Sequence, residues 1–242
     1  MSAAILAGTF APFSLFAETA TGTPKTDDKG FCTRLPDFSS KAAGNLAERT
    51  GKFDANKEGI AKKIADKRAE IDAKIKEARD KADAVRDAQA AKLTERATTT
   101  AQKTAVETFV TTLHTSITAR RTAIDAARDT FRKGVDKVRS DRKTAAEGAF
   151  KTFNASVTAA LEKAKTDCAA NVAPKTVRVQ TMTALKNART ALAASIKSLD
   201  KNKPALEALK TTRNTAIKKA QDDFKTTLDK ARAELKKAFA EA

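Results

Sequence analysis

Tryptophan and tyrosine are absent from this chain, histidine occurs once, and the 242 residues hold only 8 Gly, 5 Pro and 2 Cys. So few turn residues cannot punctuate a sheet protein, which needs a turn signal every 8 to 12 residues or so, and an all-β or Rossmann-type fold is excluded. Aromatic side chains make up 5 % of the chain, all of them Phe, and the 41 % hydrophobic fraction is inflated by Ala. A thick globular core is excluded with them. A single histidine, His114, and two distant cysteines give no zinc spacing, no Cys-His pair and no triad. The glycines never cluster into a phosphate-cradling loop. Adjacent carboxylates such as Asp222-Asp223 point about 100° apart on a helix and serve as solvated charges. The chain is expected to be non-catalytic and to use no metal or other cofactor.

What is abundant is charge: 47 Lys and Arg against 30 Asp and Glu, a net +17. Such a surface attracts polyanions. The signs are interspersed, with 15 basic and 11 acidic side chains over residues 41–97 and 10 and 6 over residues 203–242. Mixed signs at helical spacing are the pattern of a solvated helix face.

Residues 1–17, MSAAILAGTFAPFSLFA, carry no charge, and a polar, turn-rich stretch begins at Glu18. The run is too short to span a bilayer and reads as a signal peptide cleaved after Ala17, giving an extracytoplasmic protein, secreted, periplasmic or on the cell surface. No Lys or Arg precedes the run, which predicts a natural start upstream of Met1. Residues 18–38, with Gly22, Pro24, Gly30 and Pro36, read as a flexible leader. Lys29-Gly30 before Phe31-Cys32 lacks the small and aliphatic residues of a lipobox, so no lipid anchor is expected at Cys32.

Residues 39–242 read as a helical rod, rich in Ala, Lys, Arg, Glu and Asp, with apolar residues every three or four positions. In the first arm Phe53, Ile60, Ile64, Ile71, Ile75, Ala82 and Leu93 mix steps of seven and four, an eleven-residue period. In the second, Val110, Ile117, Ile124, Phe131, Val138 and Ala145 are seven apart, continued by Phe153, Val157, Leu161, Ala164 and Cys168, a coiled-coil seam. Leu206, Leu209, Ile217, Ala220, Phe224, Leu228, Ala231, Leu235 and Phe239 form the third stripe. Thr99-Thr100-Ala101-Gln102 forms a capping box, and Asn171 to Pro174 ends one helix and starts the next. The arms therefore run over about 39–97, 100–168 and 174–242. The fold expected is all-α: an elongated antiparallel three-helix bundle or coiled-coil rod, on the order of 100 Å per arm. Ser198 to Pro204 breaks the third arm, which is either interrupted but collinear, as the matched lengths favour, or folded into a hairpin of its own.

Midway between Cys32 and Cys168 lies residue 100, where the chain is expected to turn, so both sulfurs reach the same end of the rod. A disulfide between them is expected, as an oxidising compartment permits. Closing 135 intervening residues stabilises by about 4 to 5 kcal/mol in the chain-entropy model.

Between residues 169 and 202 six basic residues meet one acid, Asp200. Lys175, Arg178, Lys186, Arg189 and Lys197 share one helical face, flanking the apolar side formed by Val177, Leu185, Leu192, Ile196 and Leu199. Such a stripe tracks the phosphates of a cell-surface polymer or of nucleic acid by charge, or simply keeps the helix soluble. No aromatic residue interleaves it, so base stacking is not expected.

These features favour an exported structural or spacer protein of the cell envelope or surface, self-associating and held to an anionic polymer, with no transmembrane anchor. Two other readings remain: a periplasmic holdase, similar in architecture to chaperones with tentacle-like hairpins but without their strand-rich segment, and a cytoplasmic nucleic-acid-compacting protein if the N-terminus is retained. An amphipathic lipid-surface role is disfavoured by narrow, Ala-rich stripes and the lack of Trp. With Phe31-Cys32, Thr100-Ala101-Gln102-Lys103 and Asp167-Cys168, most of the chain resembles secreted Ala/Lys-rich long-helix proteins of candidate-phylum bacteria. That resemblance implies an exported rod and no known activity.

Overall fold

A computed structural model describes residues 30–199 and 203–240. The expected signal peptide and residues 18–29 of the expected leader lie outside the described residues. Four helices follow in order, α1 (Phe31–Arg96), α2 (Thr100–Ala169), α3 (Pro174–Ser198) and α4 (Lys203–Ala240), and the described residues contain no strand. The class is all-α with helices packed on one another, and the third arm is interrupted as α3 and α4. Pro204 does not kink a continuous helix: it sits in the first turn of α4, where its missing N–H has no partner to lose.

Local chemistry places the ends. At the first turn, the Thr99 backbone N–H donates to Gln102 Oε1 at 3.2 Å and the Gln102 N–H donates to Thr99 Oγ1 at 3.2 Å, a reciprocal capping box. The Thr98 N–H and hydroxyl converge on the same Gln102 oxygen at 2.9 and 3.1 Å, which satisfies an amide that is 8 % exposed. At the end of α2, Asn171 adopts φ 57°, and the Val172 and Asn171 N–H groups donate to the carbonyls of Asp167 and Cys168 at 3.0 and 3.1 Å. This is a Schellman motif with Asn in the left-handed position. One boundary differs from expectation: α1 begins at Phe31, so residues 31–38 are not leader but its opening turns, with Leu35 only 2 % exposed. Burial of Leu35 and the bond at Cys32 hold this end despite Pro36, which deprives the Cys32 carbonyl of its helical donor.

The chain divides into two units. The first comprises residues up to Leu46 together with Asn154–Arg189. Its core is compact: Leu35 and Ala42 from α1, Val157, Ala160, Leu161 and Ala164 from α2, and Val177, Thr181, Leu185 and Ala188 from α3 are all buried. Thr181 keeps its hydroxyl satisfied by donating to the Val177 carbonyl at 2.7 Å.

The second unit, Ala47–Phe153 with Thr190–Ala242, is built differently. Nine of its 155 described residues are buried, against ten of 53 in the first, and along α1 from residue 47 to 96 none is. The expected stripe residues Ile64, Ile71, Ile75, Ala82 and Leu93 are half-buried, whereas Ile60 is 45 % exposed and leaves the seam. On α2 the seven-residue series holds to Val138 and then shifts: Ala145 is exposed and Ala146, eight positions on, is buried at 2 %. An added residue brings the series nearer the natural 3.6-residue turn of a straight helix.

With so little apolar burial, the register in this unit is carried by pairs of larger side chains. Positions 68, 72, 79 and 83 on α1 face 136, 132, 125 and 121 on α2 through four Arg–Asp pairs, each with two parallel hydrogen bonds of 2.6–2.9 Å. The donor alternates between helices: Arg68, Arg132, Arg79, Arg121. Both segments spell the same motif, Arg-x3-Asp-x6-Arg-x3-Asp, over 68–83 and again over 121–136. Antiparallel pairing therefore relates them by a local two-fold axis. The four Arg side chains are only 24–30 % exposed, because their aliphatic stems cover the half-open seam.

Arg120 and Phe131 on α2 recur as Arg213 and Phe224 on α4, eleven residues apart in both helices. The Arg120 guanidinium lies 4.1 Å from the Phe224 ring centre and Arg213 lies 4.5 Å from that of Phe131, a second symmetric exchange. These contacts lay α4 antiparallel on α2. At Gly134 the approach is closest, since a Cβ there would meet Leu209 Cδ2 at 2.5 Å.

Candidate anion-binding face

The base of the first unit is closed covalently. The Cys32 and Cys168 sulfurs stand at bonding distance, 2.01 Å, with Cα atoms 5.7 Å apart, and no other cysteine exists in the chain. The chain does double back near residue 100, which brings these two positions together. Asp167, next to Cys168, accepts from Lys163 at 2.7 Å, and Glu162 accepts from Lys165 at 2.6 Å.

α3 is the helix without an acid: five cations and no Asp or Glu occupy its 25 residues. Lys175, Arg178, Lys186 and Arg189 belong to the first unit, and Lys197 to the second. Lys175, Lys186 and Lys197 are exposed as expected, but Arg178 and Arg189 are half-buried, which corrects the reading of a fully exposed stripe. Helical geometry explains the split. The buried residues Val177, Thr181, Leu185, Ala188 and Leu192 centre about 120° from Lys175, and Arg178 and Arg189 lie on the near side of the cationic arc, roughly 60° and 80° from that centre. Burial lowers the Arg189 guanidinium below its ordinary pKa.

Two residues of this face were not anticipated. Val179 is 58 % and Met182 45 % exposed, among the most exposed large apolar side chains described. Beside Val179 a groove of about 360 Å³ runs between α2 and α3, lined by Ala160, Ala164, Lys163, Asp167, Thr183 and Ala184. A larger groove, about 790 Å³, lies in the second unit between α2 and α4, where Phe109 and Leu235 share its lining with Thr and Ala and with the charged Lys230, Glu234 and Lys237.

The Arg–Asp ladder and the Arg–Phe exchanges also escaped the reading of apolar periodicity alone. The signal was present: comparing the sequence with itself at an offset of 53 aligns Arg68, Ile71, Asp72, Arg79, Asp83, Val85 and Arg86 with identical residues, and an offset of 93 aligns Arg120, Ile124, Asp129 and Phe131. His114 Nε2 lies 3.7 Å from Asp87, both exposed, and among the described residues no three His, Cys, Asp or Glu side chains gather as a metal site. Among them too, no helix is long and apolar enough to cross a membrane. No protein-family model, no curated protein and no solved structure matches this chain.

Proposed function

We propose that this protein is a non-catalytic, extracytoplasmic structural or spacer protein of the cell envelope or surface, held to an anionic polymer through α3. The observation that carries this reading is the Cys32–Cys168 pair at bonding distance, since such bonds form and persist in oxidising compartments. Long helices with few buried residues suit a role in span and surface more than one in enclosing a substrate. The absence of acids on α3 supports the polyanion. Cell fractionation with thiol trapping tests the compartment. Protein recovered outside the cytoplasm, with both thiols unreactive until reduced, is expected. Cytoplasmic protein with reactive thiols overturns the reading and favours the nucleic-acid-compacting alternative.

The groove beside Phe109 and Leu235 favours a second reading, a holdase that shelters apolar segments of unfolded clients. It requires the protein to suppress client aggregation and the substitution Phe109→Ser to weaken that effect.

A further inference from the structure

On α4 the lysines Lys218, Lys219 and Lys225 each reach the aspartate four residues on. Lys230 and Glu234 have the same spacing and order, yet among the described residues neither has an ion-pair partner. Both are exposed, and both line the groove between α2 and α4 in the second unit. With Glu234 as origin and about 100° per residue, Lys230, Thr227 and Ala238 fall at roughly −40°, 20° and 40°, while Asp229, Arg232 and Lys236 fall about 140–160° away. One acid and one base thus share the centre of this face, and Lys237, at its edge near roughly −60°, already interacts within the protein. The α2 wall carries no charge: Ala101, Thr104, Ala105, Thr108 and Thr112 line it with Phe109.

This mixed lining selects the occupant. A polyanion would meet Glu234, a polycation would meet Lys230, and an apolar segment would strip water from both charges without pairing either. A helix that carries the two signs in reverse order pairs both. Positions 230 and 234 are symmetric about 232, so α4 of a second copy, laid antiparallel across that point, sets Lys230 on the partner's Glu234 and Glu234 on the partner's Lys230. We propose that this groove is a self-association surface, in which α4 of each copy lies along the α2–α4 groove of the other about a two-fold axis beside residue 232. The Ala and Thr lining lets the helices approach closely, and Phe109 and Leu235, half-buried in the single chain, lose further water on pairing. On α4 the groove spans residues 227–238, roughly 17 Å of helix. A contact that short buries less than a standard interface, so the pairing is transient and loosens in salt.

The test is sedimentation velocity of the full-length oxidised protein from micromolar to several hundred micromolar. A concentration-dependent equilibrium between monomer and dimer is expected. Lys230→Glu sets acid against acid at both contacts across the axis, and Glu234→Lys sets base against base, so each variant alone should dimerise about tenfold more weakly. Mixed in equal amounts, the two variants should pair as readily as the parent, because each contact again joins opposite signs. Both positions are exposed, and circular dichroism with intact-mass analysis checks that helix and disulfide survive. If the parent dimerises and neither variant shifts the equilibrium, or if the mixture stays as weak as the single variants, the pairing is not through these charges and the proposal falls. A parent that is monomeric throughout overturns it too, and if that monomer suppresses client aggregation in a manner dependent on Phe109, the groove belongs to clients.

Discussion

Arg68 and Asp136 stand 68 residues apart in the chain and are joined by two parallel hydrogen bonds of 2.8 and 2.9 Å, and the identical motif places Arg121 on Asp83 in the same manner. Pairing in this half of the molecule is thus specified twice over by one short pattern. Planar guanidinium forks suit the task better than ammonium groups, since each fixes the orientation as well as the distance of its partner. Lysine, by contrast, serves mainly within single helices here, as in Lys62–Asp66, Lys76–Asp80 and Lys218–Asp222.

Reversing one rung should expose this specificity. Arg68→Asp alone places two carboxylates together and should destabilise the protein by about 1 kcal/mol, as partly exposed pairs do. Adding Asp136→Arg should restore most of the loss. A double-mutant cycle by urea unfolding measures the coupling, and a coupling of zero would show that the ladder does not set register.

Acid should weaken the same ladder. The hydrogen bonds from Arg121, aided by Arg86, hold the Asp83 carboxyl at about 2, and Lys67 with Lys74 do the same for Glu70. Arg132, Arg79 and Arg68 lower Asp72, Asp125 and Asp136 in turn. A carboxyl whose folded pKa is depressed binds fewer protons folded than unfolded, so its contribution is complete above the unfolded value of about 4 and is lost as pH falls toward 2. Thermal midpoints should be level from neutral pH down to about 5 and drop between about 4 and 2. A drop already complete at pH 5 would contradict this assignment.

Removing the disulfide should act through the unfolded chain. Cys32→Ser with Cys168→Ser opens a link across 136 positions and should cost about 4 to 5 kcal/mol in the chain-entropy model. Hydrogen exchange should quicken most over residues 31–46, which Leu35 and Ala42 alone would then hold by burial. Uniform quickening across α4 as well would mean that the bond supports both units alike.

Gly134 separates two opposed effects. Ala gains about 1 kcal/mol of helix propensity over Gly, yet its Cβ must displace the Leu209 methyls, so Gly134→Ala should be near neutral. Gly134→Val adds branches that the Leu209 side chain cannot clear, and should cost about 1–3 kcal/mol. Calorimetry of the two variants distinguishes them. Equal stability would mean that α4 withdraws from α2 at this point without loss.

Much of this architecture is legible in the sequence. The cap at Thr99 and Gln102, the stop at Asn171 and the start at Pro174 are fixed by neighbours within a turn, and each appears where the sequence places it. The second-arm seam from Phe153 to Ala164 is buried as its spacing requires. Apolar spacing does not show the side chains that choose between helix faces of nearly equal quality. Ile60 leaves its stripe, Ala146 replaces Ala145, and Arg178 is half-buried because it lies only about 60° from the centre of the buried side of α3.

The sequence by itself determined that the chain is helical, where α2 starts and stops and where α3 starts, and that Cys32 and Cys168 meet, because propensity, capping and hairpin arithmetic are local or follow from local lengths; the start of α1 at Phe31 it did not. Only the tertiary structure decided which rotation each helix adopts against its neighbours, and so the Arg–Asp rungs, the exchange of Arg120 and Arg213 between Phe rings, and the outward turn of Val179 and Met182. Alanine-rich seams discriminate weakly between rotations, since each small side chain buries little area. The choice therefore falls to a few large residues far apart in sequence, whose energies are realised only when both partners are in place.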